Sequence, residues 1–254
     1  MKKNAIYLFA NWKMYLDYDE SNILANALAS EAKNFDKRIK MAIFPSALSF
    51  YPVAQVFRDV GIGIGAQNVY WVDKGGYTGE VSANMYKEAG CEYALVGHSE
   101  RRHLFGESLE ETEKKFEAVL AAGLTPVLCV GETSAEKKNG ITERVVKNQL
   151  ESALKKISWP KGKEIIIAYE PVWAIGTGDA CDPEEAQKIQ EIIKETVKKT
   201  VPKAGYVAAL YGGSVDGKNI GAFLAKSAID GVLVGGASAK LKSWLEIIKE
   251  SVKK

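Results

Sequence analysis

Glu170 is the residue hardest to account for by folding alone. It follows the β-branched run Ile165-Ile166-Ile167 and precedes Pro171. That run, behind the polar stretch 161–164, fits a strand buried on both faces, as in a parallel sheet. Proline disfavours helical φ/ψ in the residue before it, so the carboxylate stands where the strand stops. The next segment, Pro171-Val172-Trp173-Ala174-Ile175-Gly176-Thr177-Gly178, is too apolar for an ordinary surface loop and too rich in glycine for a helix. A lid that packs down over a ligand gives Trp173 and Ile175 a place to go. An acid at a strand end beneath such a lid is suited to act as a general base in a dry pocket.

Other polar residues also fall just after short apolar runs. Asn11 and Lys13 follow one, and His98 follows another in Gly97-His98-Ser99-Glu100-Arg101-Arg102. Two glycine turns, Tyr211-Gly212-Gly213-Ser214 and Gly235-Gly236-Ala237-Ser238, close two more. Glycine lets backbone N–H groups approach a ligand, and the start of a following helix adds positive potential, so adjacent turns of this kind suit a phosphate. Each feature also has a plain structural reading: an exposed lysine, a turn asparagine, a backbone-bonded histidine, tight turns. Glu100, Arg101 and Arg102 read as an ion-pair network holding their loop, His103 as structural, and Cys129 as a small packed thiol. Only Glu170 has no such alternative.

The elements that must position these residues alternate regularly. Candidate strands are 6–11, 41–44, 62–66, 93–97, 126–130, 165–170, 207–211 and 231–234. Amphipathic helical patterns lie between them, the clearest at 184–201, 108–122 and 142–157. Asp182 is placed to cap the first of these with Pro183 at its first position. Its Ala186, Ile189, Ile193 and Val197 share one face, which should pack on the sheet. Eight strand-then-helix units in 254 residues, with no linker, predict an α/β chain folded as one (β/α)8 barrel domain spanning residues 1–254. An open doubly wound sheet is disfavoured because no G-x-G-x-x-G follows the first strand. In a barrel the active site lies at the C-terminal strand ends, where the polar residues above all fall.

Composition narrows the function. A net charge of +2 supplies no broad electrostatic case for binding nucleic acid or an acidic membrane. Cys91, Cys129 and Cys181 are scattered and only two histidines occur, so neither a disulfide framework nor a metal site is expected. A reducing cytoplasm is the simple expectation. Residues 6–10 are too short an apolar stretch for a signal peptide, and no run approaches a membrane span.

Taken together, these residues resemble the triosephosphate isomerase family. The resemblance rests on NWKM (11–14), GAQNV (65–69), GGYTGEVSA (75–83), VGHSERR (96–102), CVGE (129–132), YEPVWAIGTG (169–178), YGGSV (211–215) and GVLVGGAS (231–238). These occur in the family's order from end to end. The resemblance implies an isomerase of glycolysis and gluconeogenesis that interconverts glycerone phosphate and D-glyceraldehyde 3-phosphate through an enediolate. It implies Glu170 as the base and His98 as the electrophile. The neutral histidine at a helix N-terminus is a known feature of this family. Lys13 is implied as the stabilising cation and Asn11 as a neighbouring donor. Gly176, Ser214, Gly235 and Gly236 are implied in phosphate binding, and residues 171–178 as a closing lid, also a known property of the family. No cofactor or metal is implied. Thr78 is implied at the interface of a homodimer. Two alternatives are an isomerase of a larger sugar phosphate and a non-catalytic phosphate-binding paralogue; a coupled assay distinguishes them. Three departures from the family's pattern stand out. Phe9-Ala10 replaces small residues. Asp179-Ala180-Cys181-Asp182 follows the lid, where hinge residues set its motion. Tyr15-Leu16-Asp17 predicts an altered start of the first helix or an altered dimer contact.

Overall fold

The computed structural model describes residues 5–176 and 180–253. Eight strands, β1 (Ile6–Asn11), β2 (Ile39–Phe44), β3 (Gly63–Ala66), β4 (Tyr93–Val96), β5 (Thr125–Val130), β6 (Ile165–Tyr169), β7 (Val207–Tyr211) and β8 (Gly231–Val234), close into a barrel in sequence order. Every pairing is parallel, including β1 with β8. The helices are α1 (Tyr18–Glu31), α2 (Phe50–Phe57), α3 (Ala83–Glu88), α4 (Ser99–Leu104), α5 (Leu109–Ala121), α6 (Ser134–Lys138), α7 (Thr142–Leu154), α8 (Pro183–Thr200), α9 (Ile220–Leu224) and α10 (Leu241–Ser251). None of the described helices is long and apolar enough to cross a membrane. The (β/α)8 expectation is met.

Most predicted limits hold within two residues. β1, β7 and β8 have the limits read from the sequence. β2 begins at Ile39 rather than 41, because Ile39 and Lys40 pair with Ile6 and Tyr7. Lys40 escapes the apolar pattern because its ammonium sits over the Tyr7 ring and reaches Glu164. β6 stops at Tyr169, leaving Glu170 just beyond the ladder. Asp182 caps α8 through the N–H groups of Glu184 and Glu185, with Pro183 in the first turn. The face buried by α8 includes Ala186, Ile189, Ile193 and Val197, as the periodicity requires. α7 ends at Leu154, three residues before the predicted end. Asp17 caps α1 in a reciprocal capping box with Glu20, a device that satisfies two otherwise orphaned N–H groups.

Apolar side chains form two cores. One lies between strands and helices; the other fills the barrel with alternate residues such as Tyr7, Phe9, Phe44, Val127 and Ile166. Phe9, one of the departures noted above, is fully buried there against Phe44 and Tyr93, with ring centroids 5.6 and 5.2 Å away. Room for these rings comes from β3. A Cβ on Gly65 would stand 2.2 Å from Phe44, and one on Gly63 would stand 2.8 Å from Tyr93. All three cysteines are buried free thiols, with Cys129 inside the barrel as expected.

The Gly65→Ala variant is therefore expected to lose about 1–3 kcal/mol of stability through overpacking. Urea unfolding measures this. A midpoint equal to that of the parent protein would show that the glycine does not accommodate Phe44.

Candidate active site

The site forms where β1, β4, β6, β7 and β8 end. Glu170, His98, Lys13 and Asn11 line one cavity of about 360 Å³, together with Gly176, Ser214, Gly235 and Gly236. All eight sequence-predicted polar and phosphate positions thus converge. Of the lid, Pro171 to Gly176 are described, with Ile175 and Gly176 on the cavity wall. Thr177 and Gly178 lie outside the described residues, as does Asp179.

Glu170 is buried, and its two oxygens have separate partners. Oε1 lies 3.0 Å from His98 Nε2, and Oε2 accepts the Ser99 N–H at 2.8 Å. Ser99 opens α4, so the carboxylate also faces the positive end of a helix. Burial pushes the Glu170 carboxyl upward. His98, the Ser99 N–H and Lys13 act in the opposite direction, and the balance holds it below its ordinary value. Two glycines fix the backbone and stem of the residue. A Cβ on Gly131 would stand 1.8 Å from the Glu170 carbonyl oxygen, and one on Gly212 would stand 2.9 Å from Glu170 Cγ.

His98 caps the same helix. Its Nδ1 accepts the Glu100 N–H at 3.3 Å. An acceptor nitrogen carries no proton, so the imidazole proton resides on Nε2 and is donated to Glu170. The ring is thereby set in the tautomer that presents an N–H donor to the cavity.

Lys13 has φ of 48°, the one non-glycine residue with positive φ among those described. Such a conformation costs about 1–3 kcal/mol and requires support from its surroundings. Asn11 Oδ1 accepts the Lys13 N–H at 3.0 Å, and Gln67 Nε2 donates to the Lys13 carbonyl at 2.9 Å. The ammonium lies 2.6 Å from Glu100 Oε1. The expected ion pairing is found for Glu100 and Arg101 but not for Arg102, which bonds backbone carbonyls instead. Glu100 pairs with Lys13, Arg101 with Glu107 at 3.3 Å, and Arg102 donates to the Gly97 and Cys129 carbonyls. The three side chains leave α4 in different directions, so each meets a different loop. His103 is exposed on the same helix and does not line the cavity.

The described part of the lid is anchored at several points. Trp173 Nε1 donates to Glu132 Oε1 at 2.8 Å, and Lys137 sits over its ring, 3.4 Å from the centroid. Ser214 Oγ donates to the Ala174 carbonyl at 2.7 Å, and beyond the lid the Cys181 N–H donates to Tyr211 Oη at 2.9 Å. Sequence reasoning missed Glu132, Lys137 and Gln67 as supports. Glu132 and Gln67 carried a usable signal, a polar residue just past the end of a barrel strand; nothing in the sequence marked Lys137.

The family model for triosephosphate isomerase matches residues 6–251. The triosephosphate isomerase of Dehalococcoides mccartyi (strain CBDB1) is 41% identical over 248 residues, covering 97% of this chain and 96% of that protein. That of Thermoanaerobacter pseudethanolicus is 39% identical over 240 residues, covering 94% and 96%. That of Dictyoglomus thermophilum is 38% identical over 242 residues, covering 94% and 97%. With this geometry, and with similarity along nearly its whole length, the chain belongs to the triosephosphate isomerase family.

Proposed function

We propose that this chain, acting as a single barrel domain, interconverts glycerone phosphate and D-glyceraldehyde 3-phosphate, with Glu170 as base and His98 as electrophile. The observation that carries the reading is the meeting of Glu170, His98, Lys13, Asn11 and two glycine turns in one cavity. Glu170 removes a proton from the carbon beside the carbonyl, and the electron pair moves onto the carbonyl oxygen. The His98 Nε2–H and the Lys13 ammonium stabilise the enediolate as its charge develops. His98 moves a proton between the two enediolate oxygens, and protonated Glu170 returns its proton to the neighbouring carbon. The reaction is internally balanced.

Glu170 works in two settings. While bonded to His98 and Ser99 it is a weak base. As its carboxylate turns to the substrate it gives up those bonds, and burial beneath the lid raises its proton affinity towards that needed for catalysis. The backbone of Gly235 and Gly236, with Ser214 and Gly176, grips the phosphate. This binding energy, remote from the reacting carbons, positions the substrate and holds the lid over it. Water exclusion protects the enediolate from losing phosphate.

The homodimer reading has its own support. Residues 73–80 form an exposed tongue whose base is tied by Tyr70 N–H to the Val81 carbonyl at 2.8 Å. Tyr77 packs on Tyr70, and Thr78 stands exposed within the tongue. Beside Lys13 lies a hollow of about 450 Å³ walled by Met14, Leu104 and Phe105. Those three side chains are 94%, 75% and 67% exposed. Such an apolar patch calls for cover, and the tongue of a second copy supplies it beside the catalytic lysine. A cytoplasmic location accords with three reduced, buried cysteines.

Glu170→Asp withdraws the carboxylate by one methylene. Turnover of glyceraldehyde 3-phosphate in a coupled assay should fall by about 10²-fold or more, while affinity for inorganic phosphate stays nearly unchanged. Full turnover in this variant would remove Glu170 as the base.

The lowered Glu170 value also fixes a sign. A carboxyl whose folded value is depressed contributes stability above its unfolded value, and that contribution is lost as pH falls through the folded value. The carbon-13 signal of the Glu170 carboxyl, assigned with Glu170→Gln, should titrate below 4.5, its ordinary value. Titration above that value would contradict the assigned hydrogen bonds.

Thr78→Arg places a charge where the tongue would enter the partner. Sedimentation should show monomers, with activity falling alongside the dimer fraction. A fully active variant that remains monomeric would separate catalysis from assembly.

A further inference from the structure

The geometry points to Tyr15 as an additional phosphate-binding residue, whose hydroxyl donates to the substrate phosphate beside the Gly236 backbone. This rests on the reading of Gly235 and Gly236 as the phosphate cradle.

Tyr15 follows Lys13 by two residues, in a tight turn closed by its own N–H to the Trp12 carbonyl at 3.1 Å. Its side chain is on the wall of the catalytic cavity and also borders the neighbouring apolar hollow. It is 57% exposed. The ring lies along the second glycine of the β8 turn: a Cβ built on Gly236 would be 3.5 Å from Tyr15 Cε2, 3.6 Å from Cζ and 3.7 Å from the hydroxyl. One residue earlier the pattern repeats, with the Gly235 Cβ position 3.1 Å from Lys13 Cε. The first loop of the barrel thus lays two side chains along two successive glycines of the last loop. The lysine end carries the cation for the reacting oxygens. The tyrosine end carries an O–H group that has no hydrogen-bond partner among the described residues.

A phenol hydroxyl is a donor as well as an acceptor. Beside backbone N–H groups that converge on an anion, its donor role is the favourable one. The aromatic ring has two side-chain torsions and packs on Gly236, so little entropy is lost in presenting the hydroxyl. The pairing also relates the sequence departure at position 15 to the site: a tyrosine there has the reach to contact the cradle from the opposite loop. Its other edge borders the hollow proposed for the partner's tongue, so assembly would hold the ring against the glycine.

Tyr15→Phe keeps the ring and its packing and removes only the donor. Calorimetry with inorganic phosphate should show Kd increased about 3- to 10-fold, the range for one hydrogen bond to a charged acceptor in a partly exposed setting. KM for glyceraldehyde 3-phosphate should rise by a similar factor with kcat little changed, because this one hydrogen bond, unlike the contacts that hold the lid, is made alike in ground and transition states. An unchanged phosphate Kd overturns the assignment. So does a fall in kcat with phosphate affinity intact, which would make the tyrosine a structural support. If the parent protein isomerises the substrate but does not bind inorganic phosphate through this turn, as judged by an unaltered Kd in Gly236→Pro, the cradle reading itself fails, a result separable from failure at Tyr15 alone.

Discussion

The site depends on the first turn of α4. Two successive backbone N–H groups there, from Ser99 and Glu100, are taken by Glu170 Oε2 and His98 Nδ1. One helix end therefore holds the carboxylate and sets the imidazole tautomer. It does so with groups that have no partner within the helix. The same turn supplies the Glu100 carboxylate that meets the Lys13 ammonium. Base, electrophile and cation come from three different strand ends, yet each is tied to this one short segment.

The remainder of the barrel keeps that segment in place. Arg102 reaches back to the Gly97 and Cys129 carbonyls, which fastens α4 to the ends of β4 and β5. Arg101 and Lys115 both meet the buried Glu107. Both cations meet the same oxygen, Oε2, while Oε1 is buried without a hydrogen-bond partner among the described residues, so removing the buried Lys115 would leave the Glu107 charge poorly compensated. On the opposite side, Gly131 and Gly212 have no side chain because the backbone and stem of Glu170 occupy that space. Lys13 is held in a left-handed conformation by Asn11 and Gln67. Local strain and tight packing are thus concentrated around the three polar side chains.

Much of this was legible in the sequence, for identifiable reasons. A buried parallel strand leaves a continuous apolar run, so β1, β7 and β8 could be delimited from residue type alone. Pro171 marked where the strand must stop and so placed Glu170 at the rim. Asp182-Pro183 marked the start of α8 by capping chemistry. The start of β2 was missed because Lys40 interrupts the apolar pattern, its charge being met by Glu164 from the segment just before β6. The charges of Glu100, Arg101 and Arg102 suggested ion pairs holding their loop, but their partners, Lys13, Glu107 and backbone carbonyls, could not be read from the sequence. Gln67, Lys137 and the Tyr15 contact with Gly236 depend on loops brought together only by closure of the barrel, which no local pattern encodes.

The claim that the α4 N-terminus sets the histidine is open to direct measurement. The chain has only two histidines, so nitrogen-15 imidazole spectra are simple, and His103→Gln assigns the pair. The account predicts that at neutral pH His98 bears its proton on Nε2, with Nδ1 showing the shift of an unprotonated, hydrogen-bond-accepting nitrogen. A proton found on Nδ1 would contradict it, because the Glu100 N–H would then have no acceptor and the ring could not offer its Nε2–H to Glu170 or to a substrate oxygen.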